Sequence, residues 1–132
     1  MRCWPFFALC SLACDPPCPS ARVEWEAGVL DVCVEVARTP DERAAGLVGR
    51  HLGAGEGLVL AFPVEGEVCI VNLGVPIAID AIHVGGEGRV VGTTCGILAG
   101  DLTPHCHPST RWVLEVAAGD CEVPVGAAAR FE

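Results

Sequence analysis

Val32-Cys33-Val34-Glu35-Val36-Ala37-Arg38-Thr39-Pro40-Asp41-Glu42-Arg43-Ala44-Ala45-Gly46-Leu47 begins as a strand and ends as a helix. Leu30, Val32, Val34 and Val36 recur with period two and share one face, while Asp31, Cys33 and Glu35 share the other. The alternation stops at Thr39. That residue can serve as N-cap, Pro40 suits the first helical position, and Glu42 closes a capping box. A strand running straight into a short capped helix is the clearest local fold signal in the chain.

Residues 22–25 and 29–36 predict a hairpin that turns at Ala27-Gly28. The helix is expected over residues 40–48, ended by Gly46 and Gly49, and is too short to hold without packing. Further strands are expected at 58–62, 68–71, 77–84, 89–94 and 112–116, with a last one at 127–132. Residues 85–88 read as a tight turn and 96–110 as the longest irregular segment. Short strands at this spacing predict a mainly β fold, a jelly-roll-like β-sandwich or a partly open barrel with one short α-helix. A chain of 132 residues suits one hydrophobic core, and residues 21–132 read as a single domain.

The composition narrows the function classes. All eight basic residues are arginine, lysine is absent, and the net charge is −9. Nucleic-acid binding and polybasic attachment to anionic lipid both need a positive footprint that is missing here. Without lysine there is no Schiff-base chemistry and no P-loop.

The N-terminus and the cysteines point to export. Met1-Arg2 precedes an apolar run to Ala13, well short of the ~20 residues of a membrane-spanning helix. Residues 1–13 therefore fit a signal peptide. Ser11-Leu12-Ala13-Cys14 resembles the lipobox of bacterial lipoproteins, so Cys14 is the expected lipid attachment and residues 14–20 a stiff, Pro-rich tether. Of nine cysteines, Cys18, Cys33, Cys69, Cys95, Cys106 and Cys121 then remain. An even number in an exported chain predicts disulfides. Cys95–Cys106 is the favoured pair, because it would clamp the 96–110 segment, and Cys33 and Cys121 are further candidates. Cys69 can equally be a buried thiol.

Five stretches occur in order: VEVARTPDERAAGLVGR (34–50), GLVLAFP (57–63), PIAIDAIHV (76–84), GRVV (88–91) and RWVLEVAAG (111–119). Together they resemble the prokaryotic family called domain of unknown function 192, over nearly all of residues 29–120. The resemblance implies a mainly β, jelly-roll-like domain with one helix, often exported, and no established reaction. Many members carry an aromatic-Met-Lys-Asn-Thr run before the strand that holds Asp80. Here Val71-Asn72-Leu73-Gly74-Val75 stands in its place, without that polar centre. The family's helix after the Ala-Gly near position 119 is shortened as well.

Two constellations could carry chemistry. Arg38, Arg43 and Arg50 frame the helix, and Asp80 sits inside an apolar run. They predict either an anion site, through guanidinium forks, or a structural Arg–Asp80 pair. His105, Cys106 and His107, with Cys95, have the residue types of a zinc or copper site but no finger or ribbon spacing. No catalytic residue, resident metal or cofactor is implied. Gly-x-Ser-x-Gly is absent, and a Cys69–His83–Asp80 triad fails because Asp80 and His83 fall on opposite faces of one strand.

The expected protein is thus an exported, lipid-anchored envelope protein with a non-enzymatic binding or structural role. Its partners would be the membrane, through Cys14, and an envelope protein or small ligand, not nucleic acid. A carboxylate-based enzyme acting on a carbohydrate or cell-wall substrate is the alternative, and metal binding through the His/Cys loop a more distant one.

Overall fold

The computed structural model describes residues 18–119 and 121–132; the expected signal peptide and Cys14 lie outside them. Seven strands and one helix follow in the order β1 (Ser20–Trp25), β2 (Gly28–Ala37), α1 (Pro40–Ala45), β3 (Glu56–Ile70), β4 (Ile79–Val84), β5 (Val90–Ile97), β6 (His105–Ala117) and β7 (Ala128–Phe131). They form one curled sheet in the order β5-β4-β6-β3-β2-β1-β7. All neighbours are antiparallel except β2 and β3, which run parallel because α1 and the loop after it carry the chain back. The edges approach at one corner, where Arg89 bridges Ala128, and Val90 and Gly126 exchange backbone hydrogen bonds with residues 127 and 90. The result is a half-barrel with one short helix, the partly open barrel of the sequence expectation.

Several boundaries differ from expectation, for local reasons. The helix stops at Ala45, because Gly46 turns to φ +44° while its N–H still bonds the Glu42 carbonyl. Its start is as predicted: Glu42 N–H donates to Thr39 Oγ1 at 3.1 Å, and Thr39 N–H to Glu42 Oε1 at 3.0 Å. The expected strands at 58–62 and 68–71 are one long β3. Its pairing with β6 shifts register around Gly66, and this bulged stretch absorbs Pro63. β5 runs on to Ile97 and β6 starts at His105, so the irregular segment shrinks to residues 98–104.

The sheet buries side chains on both faces. Leu30, Val32, Val36, Val59, Trp112 and Val116 line the hollow of the barrel. On the convex side, Leu58 and Leu60 pack with Leu47, Leu52 and Val75 from the loops that cover it. β4 is buried along its whole length, which explains its unbroken apolar run. Among the described residues no helix is long and apolar enough to cross a membrane.

All six cysteines outside the N-terminal segment are paired, but not as Cys95–Cys106. Cys106 stands directly opposite Cys69 in the β3–β6 register, with Cα atoms 3.9 Å apart, and bonds to it. Cys95 on β5 instead meets Cys121 in the segment after β6, at a Cα distance of 5.7 Å. Cys33 bonds Cys18 and ties the chain before β1 to β2. Cys69 is therefore not a buried thiol.

Candidate functional site

The arginines do not meet Asp80. Arg43 Nη1 donates to the Arg38 and Ala61 carbonyls, and its guanidinium lies 4.9 Å from the centre of the Phe62 ring. It clamps the helix to β3 through backbone oxygens. Arg50 pairs with Glu35 at 3.3 Å, and Arg38 is exposed beside the hollow. Asp80, only 3% exposed, accepts from Gly96 N–H at 2.7 Å and Gly119 N–H at 3.1 Å. The buried carboxylate is thus satisfied by two backbone donors, one from β5 and one from the segment after β6. This corrects the expected Arg–Asp80 pair: an acid in an apolar run needs partners, and backbone amides supply them.

The His-Cys-His loop does not converge on one point. His105 Nε2 contacts Asp101 Oδ2 at 3.2 Å, and His107 Nε2 contacts Thr94 Oγ1 at 3.0 Å. Cys106, between them in sequence, faces the other side of β6 and is held in its disulfide. Two groups do bring metal-type residues within 4.8 Å, Glu67–Cys69–Cys106 and Asp80–Cys95–Cys121. In both, the sulfurs are disulfide-bonded and offer no thiolate.

Behind this loop, His83 is fully buried and its ring lies 4.5 Å from that of His107. Thr110 Oγ1 donates to the carbonyls of His107 or Pro108, so it accepts from His83 Nδ1–H at 3.1 Å. His83 Nε2 then carries the lone pair and has no partner among the described residues. Burial, helped by His107, pushes the His83 pKa down to about 4, so the ring is neutral at pH 7. Asp80 and His83 point to opposite sides of β4, as the alternation predicted.

The distinctive site lies on the convex side. A cleft of about 730 Å³ opens between the end of α1, the second half of β3 and the loop 71–75. It forms there because β2 pairs with β3 only as far as Leu60 and leaves the rest of that edge free. The walls are apolar: Val48, Val64, Val71 and Leu73 are 54%, 73%, 47% and 60% exposed, alongside Phe62. The floor carries one acid. Glu115 on β6 lies between Leu58 and Ala81 of the neighbouring strands and is 5% exposed. Its carboxyl makes no hydrogen bond to any described residue. Burial pushes its pKa up to about 7.

Asn72 anchors the wall. Fully buried, it donates through Nδ2 to the carbonyls of Ile77, Ile97 and Leu98 at 3.0–3.3 Å. Its Oδ1 is buried with no partner among the described residues.

The DUF192 family, described as an uncharacterized ACR, matches residues 22–130. The chain belongs to the DUF192 family. Among solved structures, it resembles a protein of unknown function from Novosphingobium aromaticivorans, with TM-score 0.80 and 27% identity over 84% of this chain and 83% of that one. A candidate transcription regulator from Sinorhizobium meliloti shares the fold at TM-score 0.79 and 20% identity, covering 86% and 92% of the two chains. No curated protein matches the chain. In this DUF192 chain, the segment replacing the polar run noted in other members is a wall of the Glu115 cleft. Glu115 and Asn72 were missed by sequence reasoning. Each carries the signal that marked Asp80, a polar residue inside an apolar run.

Proposed function

We propose that this DUF192 protein is an exported, lipid-anchored envelope protein whose β domain binds a small ligand in the cleft over Glu115 without catalysing a reaction. The observation that carries the binding role is the unpartnered, buried carboxyl at the floor of an apolar cleft. A lone buried acid is costly, and a cleft of this size lies in the range of small-molecule sites. Export and anchoring through Cys14 are supported by the apolar N-terminal run, the lipobox-like end and three disulfides, which persist in oxidising compartments. Binding of DNA, one route to the transcription regulation named for the S. meliloti neighbour, is disfavoured by a net charge of −9. Native mass spectrometry of protein from its host tests this reading. The expected result is a lipidated chain beginning at Cys14 that carries a bound small molecule, lost when the larger side chain of Leu73→Trp fills the cleft. A bound molecule retained by that variant would reject the cleft, and a chain still carrying residues 1–13 would reject export.

A second reading rests on the same acid. Glu67 also borders the cleft, and a carboxyl with pKa near 7 suits a general acid. An enzyme acting on a carbohydrate or cell-wall polymer would use Glu115 as acid and Glu67 as the second carboxylate. Release of soluble fragments from such polymers, abolished by Glu115→Gln, would favour it.

A further inference from the structure

Resting on the ligand-binding reading above, we infer that the cleft takes a small single-chain amphiphile: an apolar body carrying a primary ammonium head, with the head on Glu115. Two side chains at the cleft have oxygens with no partner among the described residues. The Glu115 carboxyl bonds to no described residue, and Asn72 Oδ1 is buried and unpaired in the same wall. The orientation of the Asn72 amide is fixed by the three carbonyls that take its Nδ2, so the oxygen is the end turned away from them. The nearest cation, Arg43, is committed to two backbone carbonyls and the Phe62 ring.

A cleft whose floor presents an unpaired carboxyl favours a head group made of donors. An ammonium has three N–H donors and no acceptor, whereas a carboxylate or phosphate would set a second anion beside the Glu115 carboxyl. The body follows from the walls, since Val48, Val64, Val71 and Leu73 offer exposed alkyl surface around one buried charge. The net charge of −9 draws cations towards the domain. Below neutral pH the Glu115 carboxyl holds a proton that an arriving ammonium must displace into solvent.

Calorimetry on the mature, disulfide-intact chain tests this with octylammonium, octanol and octanoate at pH 6 and pH 9. At pH 9, where Glu115 is ionised, octylammonium should bind about tenfold tighter than octanol or better, the least that a charged hydrogen bond contributes. Octanoate should bind weakest. At pH 6, runs in buffers of different ionisation enthalpy should show close to one proton released per octylammonium bound, and at pH 9 none. Glu115→Gln should bind octylammonium and octanol equally and release no proton. If octanol matches octylammonium on the wild-type chain at pH 9, the ammonium head is wrong while the apolar cleft stands. If no amphiphile binds at all, the binding reading itself fails. The wild-type proton count decides the matter even if the variant does not fold.

Discussion

Replacing Glu115 with Gln should change how stability depends on pH, in a direction and amount that follow from its burial. The carboxyl has a pKa of about 7 in the fold against 4.5 in the unfolded chain. Between these values the folded state holds a proton that the unfolded state has lost. The stability contributed is fully present below pH 4.5 and is lost as pH rises through 7. A gap of about 2.5 between the two pKa values corresponds to ~3 kcal/mol. Gln cannot ionise, so the variant escapes this loss. Its stability relative to wild type should rise by about 3 kcal/mol between pH 4.5 and pH 8. His83 works in the opposite sense, with a folded value of about 4 against 6.5. Its contribution is present above pH 6.5 and fades as pH falls towards 4. In the wild type the two slopes oppose between pH 4.5 and 6.5, so stability should be nearly flat there. In Glu115→Gln the histidine slope should stand alone and stability should climb with pH. Guanidinium unfolding of both proteins across this range, disulfides intact, reads the difference directly. Parallel curves would mean that Glu115 ionises normally in the fold, and the account of the cleft would fall.

Other perturbations probe the rest of the structure. Removing the Cys95–Cys121 bond by a double Ala substitution opens a 26-residue loop and should lower unfolding free energy by about 3.5 kcal/mol on the loop-closure estimate. Hydrogen exchange should speed up first in residues 121–127. Gly92→Ala would place a Cβ 2.1 Å from His107 Nδ1, against a backbone fixed by pairing with His83, and should cost ~1–3 kcal/mol. Adding His107→Ala should recover part of that loss, and no recovery would put the clash elsewhere. Asp80→Ala leaves the Gly96 and Gly119 amides unpaired and should cost about 1–3 kcal/mol for each that stays dry. Its effect should add to that of Arg43→Ala within ~0.5 kcal/mol, and strong coupling would restore the Arg–Asp80 pair.

What was legible in the sequence is what depends on near neighbours along the chain. The period-two face of β2, the Thr39–Glu42 capping box and the turn at residues 85–88 all form between residues close in sequence, and all are found. What failed depends on register between distant strands. The gap expected between strands 58–62 and 68–71 and the irregular segment expected at 96–110 hold Pro63 and Pro108, yet β3 and β6 run through both, because each lies where the ladder is already irregular. Cys106 was paired wrongly because its partner is set by the β3–β6 register and not by the loop it ends. Asp80 was recognised as an acid needing partners, but backbone amides arriving from two other segments leave no trace in residue types. Glu115 was legible by the Asp80 criterion. That it faces a cleft rather than a partner depends on β2 ending its pairing at Leu60 and on where the 71–75 loop lies, and neither is encoded beside it.

Whether Glu115 receives an ammonium head is read most directly from a crystal structure of the mature chain with octylammonium. The nitrogen is expected about 2.8–3.0 Å from a Glu115 carboxylate oxygen, with the alkyl chain along Val64 and Leu73. An empty cleft with the amine seated in the barrel hollow near Asp80 would show that Glu115 is not the ammonium site.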